Sequence, residues 1–334
     1  MRNAEARDII HLQMSISVQK GGLLSTIQDL GRTHFRRFGI NPNGAMDTAT
    51  ARLINVLLGN DEREAVLEMH FPAAQIIFEA SAIIALGGAD FGATLDDESI
   101  ENWRPFFADE GSILKFSKKT FGNRAYVSIK SGFKIEEWLG SRSTNLIAGS
   151  GGFEGRKLQA GDRIFFNLES VIHRAKFPYK ISPALIPPYG SAPTIRVTAG
   201  AEFERLTGLS ERDFLKNNFV ISRDSDRMGF RLAGEPLYLI DDFELVSSAV
   251  DFGTIQLLPD GQMIILMADA QTSGGYPRIA HVASVDLPVL AQLGAGDAVN
   301  FELISLEEAE DLTIQFERDL SLLKVGVRLG NLWA

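Results

Sequence analysis

Two short apolar runs far apart in the chain stop at the same kind of boundary. Ala82-Ile83-Ile84-Ala85-Leu86 ends in Gly87-Gly88-Ala89-Asp90, and Met263-Ile264-Ile265-Leu266-Met267 ends in Ala268-Asp269. Runs of this length, bounded by turn residues, read as buried strands. The likeness extends outward. Each run has an earlier partner strand, Gln75–Phe78 or Thr254–Leu258, and a later Gly-x-x-aliphatic-x-Phe unit, Gly111–Phe116 or Gly296–Phe301. Met46 with Arg52-Leu53 precedes the first set as Met228 with Arg231-Leu232 precedes the second. The offset, about 180–185 residues, far exceeds solenoid periods, so the pattern predicts two similar domains. Chance likeness between short apolar strands is the competing explanation.

Most remaining segments are also brief β runs punctuated by Gly, Asp, Asn and Pro. Ile16–Lys20, Ala125–Ile129, Arg163–Asn167, Ile195–Thr198 and Ala298–Leu303 all fit. Helices are few. Met46–Leu58 has helical apolar spacing, with Asp47 as a candidate cap. Ser210–Asn217 reads as a short helix capped by Ser210, and Ser284–Gln292 as one limited by Pro288. Ser305 followed by Glu308 is a capping-box pattern that opens a helix over Ser305–Leu322. The class is therefore mainly β, in barrels or sandwiches with peripheral helices. The expected division is a leader over 1–13, a first domain over 14–188 with an inserted module at 122–168, a second over 189–304, and a helical tail over 305–334. Five prolines mark Phe177–Pro193 as the linker. Met14 is an alternative start.

Composition narrows the function. With no cysteine there is no disulfide, thiolate nucleophile or Cys-based metal site, and the five histidines are scattered, so no metal centre is expected. A net charge of −10 argues against a nucleic-acid surface. No apolar run is long enough for a membrane helix, and residues 1–13 lack a signal core, so the expectation is a cytoplasmic protein away from membranes. Phosphate-loop, His-Glu-x-x-His, nucleophile-elbow and Met-Lys-Met biotin-attachment motifs are all missing. The Gly149–Lys157 stretch has the wrong spacing for a phosphate loop. ATP or biotin chemistry would need another chain.

Four polar clusters interrupt the strands. In Gln28–Arg32, Asp29 and Arg32 are close enough to pair across a turn, either as an anion site or as a structural ion pair. Leu139–Asn145 with Gly151–Arg156 gathers Arg142, Ser143, Thr144 and Arg156, which suit a carboxylate, phosphate or urea-like group, or a solvated loop. Ser222–Leu232 alternates Arg227 and its neighbours with Asp224 and Asp226, and a self-neutralised loop is the plain explanation. Asp269–Pro277 packs Asp269, Gln271, Thr272, Gly274, Gly275 and Tyr276 at the end of a buried strand. That is the polar mixture a small-molecule site needs, although a polar turn would look the same. Asp269 is the candidate general base, or else a buried turn cap.

Taken together, Thr26–Arg32, Gly44–Asp47, Ala65–Glu68, Gly88–Asp90, Leu139–Thr144, Ser225–Leu232, Gly253–Gln256, Pro259–Gly261 and Ala268–Pro277 resemble the carboxyltransferase A/B superfamily. The likeness is to its second branch, whose members are labelled allophanate hydrolase subunit 2, KipA or the 5-oxoprolinase C subunit. It implies two tandem cyclophilin-like β-barrels and a hetero-oligomer with two other 5-oxoprolinase subunits, a smaller KipI-like one (B) and a LamB/YcsF-like one (A). The implied activity is ATP-dependent opening of 5-oxo-L-proline to L-glutamate, the chain alone being inactive. Two alternatives are antagonism of a histidine-kinase inhibitor and carboxyl transfer from carboxybiotin to urea. These substrates are planar amides. Asp269, Gln271 and Thr272 are the candidate catalytic groups; Arg142, Ser143, Thr144, Arg156, Arg227, Gly274, Gly275, Tyr276, Asp29 and Arg32 are the candidate binding groups. Met69-His70-Phe71-Pro72, and Asn43 where serine is frequent, depart from the family pattern.

Overall fold

The computed structural model describes residues 14–167, 177, 179–241 and 245–331. The expected leader at 1–13 lies outside them. The chain is mainly β and forms two lobes.

The first lobe contributes β1 (Ser15–Lys20), β2 (Ser25–Gln28), β3 (Val66–Met69), β4 (Gln75–Phe78), β5 (Ala82–Asp90), β6 (Ala93–Leu95), β7 (Glu98–Ser99), β8 (Pro105–Ala108), β9 (Ile113–Phe116), β10 (Phe121–Ile129) and β11 (Arg163–Phe165). They form a six-stranded sheet, β11-β1-β4-β9-β6-β7, and a five-stranded sheet, β2-β3-β10-β5-β8. Alternation explains why β5 is apolar throughout. Ile84 and Leu86 enter the core with Ile16, Phe78 and Val127, while Ile83 and Ala85 pack on the other face. That outer face carries helix α1 (Thr48–Leu57) through Leu53, Ile54 and Leu57. The segment 122–168, expected as an inserted module, supplies most of β10. This strand pairs with both β3 and β5 in the interior of the sheet, because Val127 and Ile129 are core residues.

The second lobe contributes β12 (Thr194–Ala199), α2 (Gly208–Lys216), β13 (Phe219–Ile221), β14 (Gly229–Ala233), β15 (Ser248–Ala249), β16 (Thr254–Leu257), β17 (Met263–Leu266), β18 (Ser273–Gly274), β19 (Arg278–Val282), α3 (Leu287–Ala291) and β20 (Ala298–Leu303). Seven strands close a barrel in the order β12-β19-β16-β17-β14-β13-β20. Ile195, Val197, Ile255, Ile265 and Phe301 fill it. Here β16 and β17 pair directly, whereas β4 and β5, their sequence counterparts, lie in different sheets. The repeat is thus not copied pair for pair.

Helix α2 begins two residues earlier than expected, at Gly208, with Thr207 rather than Ser210 as its cap. The Thr207 side chain accepts from the Ser210 backbone N–H, and the Ser210 hydroxyl is spent on the Tyr238 N–H. The final helix, α4 (Leu306–Asn331), opens on the expected capping box, with Ser305 and Glu308 exchanging side-chain and backbone hydrogen bonds. It packs on α1 through Phe316 and Leu320, with the linker residues Ile181, Leu185 and Ile186 in the same cluster. No helix among the described residues is long and apolar enough to cross a membrane.

Candidate functional site at the seam between the lobes

The polar clusters meet where the lobes touch. Asp29 directly follows β2 and cannot remain unsatisfied, because it is buried. Its carboxylate accepts from the Gly31 N–H at 2.7 Å, the Ser141 and Ser143 hydroxyls at 2.7 and 2.5 Å, and the Arg142 N–H at 2.6 Å. Arg32 does not pair with it, contrary to the turn ion pair the sequence suggested. The Arg32 guanidinium donates to Asn43 Oδ1 and the Ser143 carbonyl and lies 4.6 Å over the Trp138 ring. Burial pulls its pKa down, against the pull of Asp29 and Asp269.

Asn43 carries the network across the seam. It sits at φ 57°, followed by Gly44 at φ 101°, a left-handed conformation that glycine adopts without strain. A Cβ on Gly44 would also lie 3.0 Å from the Gly31 nitrogen. Asn43 Nδ2 donates to Asp269 Oδ1 at 2.7 Å. Arg227, from the second lobe, forks onto the same carboxylate, Nε at 2.9 Å and Nη2 at 3.0 Å. It also donates to the Gly44 carbonyl at 2.6 Å and, through Nη1, to Glu68. Arg227, Asp269 and Glu68 are 5%, 5% and 1% exposed, so this is a sealed ion triad. Burial works against the Arg227 charge, but Asp269 and Glu68 outweigh it and hold the pKa above its ordinary value. Glu68 in turn accepts from Tyr126 Oη at 2.8 Å and the Met46 N–H at 2.9 Å. Sequence reading did not assign Glu68 a role. The signal was present: a carboxylate inside a fully buried strand requires a cation.

One turn further, Asp47 caps α1 by accepting from the Thr50 N–H at 2.8 Å. Its other oxygen accepts from Thr50 Oγ1 and Tyr189 Oη, each at 2.7 Å, and from Gln292 of the second lobe at 2.9 Å. Burial raises the carboxyl's pKa, and these hydrogen bonds oppose the rise. His70, near Arg124 and Arg227, is pushed down to about 2 by burial and by those cations, so its ring is neutral.

Beside the triad a cavity of about 140 Å³ opens between the lobes. Thr33, Arg36, Asn43 and Thr48 line it from one side and Asp251 and Gln271 from the other. Arg36, on a short 3₁₀ turn (Thr33–Phe38), reaches Asp251 at 2.5 Å. The crevice therefore mixes guanidinium, hydroxyl and amide donors with carboxylate and amide acceptors, over apolar walls such as Phe252 and Met267. That combination matches a small planar amide.

Other expected residues fall elsewhere. The Arg142 side chain turns to Glu64 and Glu137 at 3.3 and 3.0 Å, leaving its backbone in the network. Arg156 is tied to Asp162 and Glu154 on the first lobe. Neither guanidinium faces the crevice, because nearer carboxylates hold each one. Ser143 and Thr144 are buried, and Thr144 hydrogen-bonds the Ile27 carbonyl. The Thr272 carbonyl accepts from the Val250 N–H. Gly274, Gly275 and Tyr276 do not line the crevice. Gly274 pairs with Ser248, and Gly275 and Tyr276 line a concavity of about 520 Å³ beside Leu237. Gln271 stands between the crevice and a further concavity of about 540 Å³ on the outer face of β14, β17 and β16. The 149–155 glycines make a turn folded on itself, with Gly155 N–H bonded to the Gly151 carbonyl. Among the described residues the next element after these glycines is strand β11, not a helix. No cluster of three metal-binding side chains occurs among the described residues.

A family model described as the carboxyltransferase domain, subdomain A and B, matches residues 38–303. The 5-oxoprolinase C subunit of Haemophilus influenzae is 38% identical over 86% of this chain and 91% of its own length. The protein of that name in Escherichia coli K12 is 36% identical over 88% of this chain and 93% of its own. The solved K. lactis urea amidolyase superposes with a TM-score of 0.87 at 28% identity, covering 93% of this chain. This chain spans only 20% of that much larger protein.

Proposed function

This chain belongs to the family of the carboxyltransferase domain, subdomain A and B, and from that premise we propose that it is the C subunit of an ATP-dependent 5-oxoprolinase. One observation carries the reading: two relatives bearing that name align with it nearly end to end, at 38% and 36% identity. In the complex, a KipI-like and a LamB/YcsF-like protein join this chain in the cytoplasm to open 5-oxo-L-proline to L-glutamate. The chain is inactive alone. ATP is bound by a partner.

The inter-lobe crevice holds the substrate. Thr33, Thr48 and Arg36 offer donors to its oxygens, and Asp251 and Gln271 accept from its N–H. The Arg227–Asp269–Glu68 triad has its charges spent on one another and on the backbone, which makes it a positioning device for the crevice walls. Asp269 acts there through Asn43 and Arg227, not as a base. The likeness to urea amidolyase supports a second reading, carboxyl transfer from carboxybiotin to urea at the same crevice.

The test is reconstitution with both partner proteins. ATP-dependent glutamate release from 5-oxo-L-proline is expected. No release from the full mixture, while a working 5-oxoprolinase set runs in parallel, overturns the reading. Urea-dependent turnover with a carboxybiotin donor would establish the second one, and capture of the small KipI-like partner without turnover would point to a regulator.

A further inference from the structure

Two ion pairs that cross between the lobes differ in kind. Arg227–Glu68 is sealed, its side chains 6% and 1% exposed, whereas Arg36–Asp251 lines the crevice at 29% and 50%. Each member of the open pair is also held by a second contact. Arg36 Nη2 donates to the Val250 carbonyl, and Asp251 Oδ1 accepts from the Phe252 N–H at 2.8 Å. The atoms that meet across the crevice, Arg36 Nη1 and Asp251 Oδ2, can therefore separate while both side chains stay anchored.

We propose that Arg36 and Asp251 are the amide-reading pair of this crevice: the carboxylate takes an amide N–H, and the guanidinium takes the carbonyl oxygen of the same amide. A donor and an acceptor side by side complement a group whose N–H and C=O lie on one edge. A cis amide offers that edge, as does a primary amide, one of whose N–H bonds lies syn to the C=O. A ring forces the cis form in a lactam, and urea presents that edge without a ring. An open-chain secondary amide is trans and points the two groups to opposite edges. The pair thus selects lactams, ureas and primary amides and rejects peptide-like amides. Both interactions involve a charged partner, which makes them strong enough to set affinity. The inference rests on the crevice being the substrate site of the proposed complex. Its failure separates from failure of that proposal as follows.

In the reconstituted complex, Arg36→Gln and Asp251→Ala are each expected to raise the KM for 5-oxo-L-proline about tenfold or more, with kcat held within about twofold. Thermal midpoints near that of the parent chain confirm that both variants fold. Unchanged KM in both variants of a working complex overturns the pairing and leaves the 5-oxoprolinase assignment standing. A parent complex that releases no glutamate overturns that assignment instead. The pairing is then read from NMR titration of the full chain with 5-oxo-L-proline, urea and N-methylacetamide. Shifts at crevice residues for the two cis amides, weakened in both variants and absent for the trans amide, support it. Equal response to all three, or none, overturns it.

Discussion

Arg227 makes four hydrogen bonds with one guanidinium, two of them to Asp269, one to Glu68 and one to the Gly44 carbonyl. Two carboxylates and a carbonyl thus converge on a single buried cation. Removing the cation does more than delete contacts. It strands two carboxylates in a site that excludes water, and the penalty for a stranded buried charge exceeds the net worth of the pair. Arg227→Ala is expected to lose about 3–5 kcal/mol of stability in chemical unfolding. Arg227→Lys keeps the charge but lacks the planar fork that engages both Asp269 oxygens, so it should fall between. An Arg227→Ala variant as stable as the parent would remove the triad from the account of how the lobes are held. The triad also explains why Asp269, which reads as a base from its position at a strand end, sits with both oxygens engaged by Arg227 and Asn43.

At the scale of elements, Asp47 joins a helix cap to a tertiary contact. A capping side chain contributes about 1 kcal/mol, and an orphaned buried donor costs a further ~1–3 kcal/mol. Asp47→Ala also leaves the Tyr189 hydroxyl and the Gln292 amide without their acceptor, so a loss of about 2 kcal/mol or more is expected. Asp47→Asn keeps a capping oxygen for the Thr50 N–H but sets an N–H₂ donor against the Gln292 amide donor, so its thermal midpoint should fall between those of the parent and Asp47→Ala. A midpoint as low as that of Asp47→Ala would show that the capping oxygen contributes nothing. This cap was legible in the sequence, as were β1, β4, β20 and the Ser305–Glu308 box, because each depends on neighbours within one turn or one strand. The Asp29–Arg32 pairing was misread for the opposite reason. Asp29 is satisfied largely by residues 141–143 and Arg32 by Ser143 as well as Asn43, and local spacing does not specify the partners at 141–143, over 100 positions away. The pairing of β10 with both β3 and β5 was likewise not legible, because it too joins residues far apart in the chain. Glu68 and Arg36 went unassigned because their partners lie on the other lobe.

For the whole molecule, the crevice exists only while the lobes stay in register, and three separate polar contacts hold them. The first is the Arg227 triad with Asn43. The second is the half-exposed Arg36–Asp251 pair. The third surrounds Gln292 on the second lobe, whose amide donates to Asp47 and the Arg124 carbonyl and accepts from the Asn123 and Arg124 N–H groups. Arg124 itself donates to the Ala291 carbonyl. Unfolding one lobe alone would leave buried partners of the first and third contacts unsatisfied on the other lobe, at a cost a folded lobe cannot avoid by relaxing. The lobes are therefore expected to unfold together, with calorimetric and van't Hoff enthalpies that agree, although the chain is large enough for two independent units. Combining Arg227→Ala with Gln292→Ala removes one anchor from each buried contact. That variant should unfold in two calorimetric steps, with the closed barrel and the two-sheet lobe melting separately. Two steps in the parent protein would mean that the seam does not couple the lobes. A single step in the double variant would mean that the linker and α4, which pack together on α1, carry the coupling without the polar contacts.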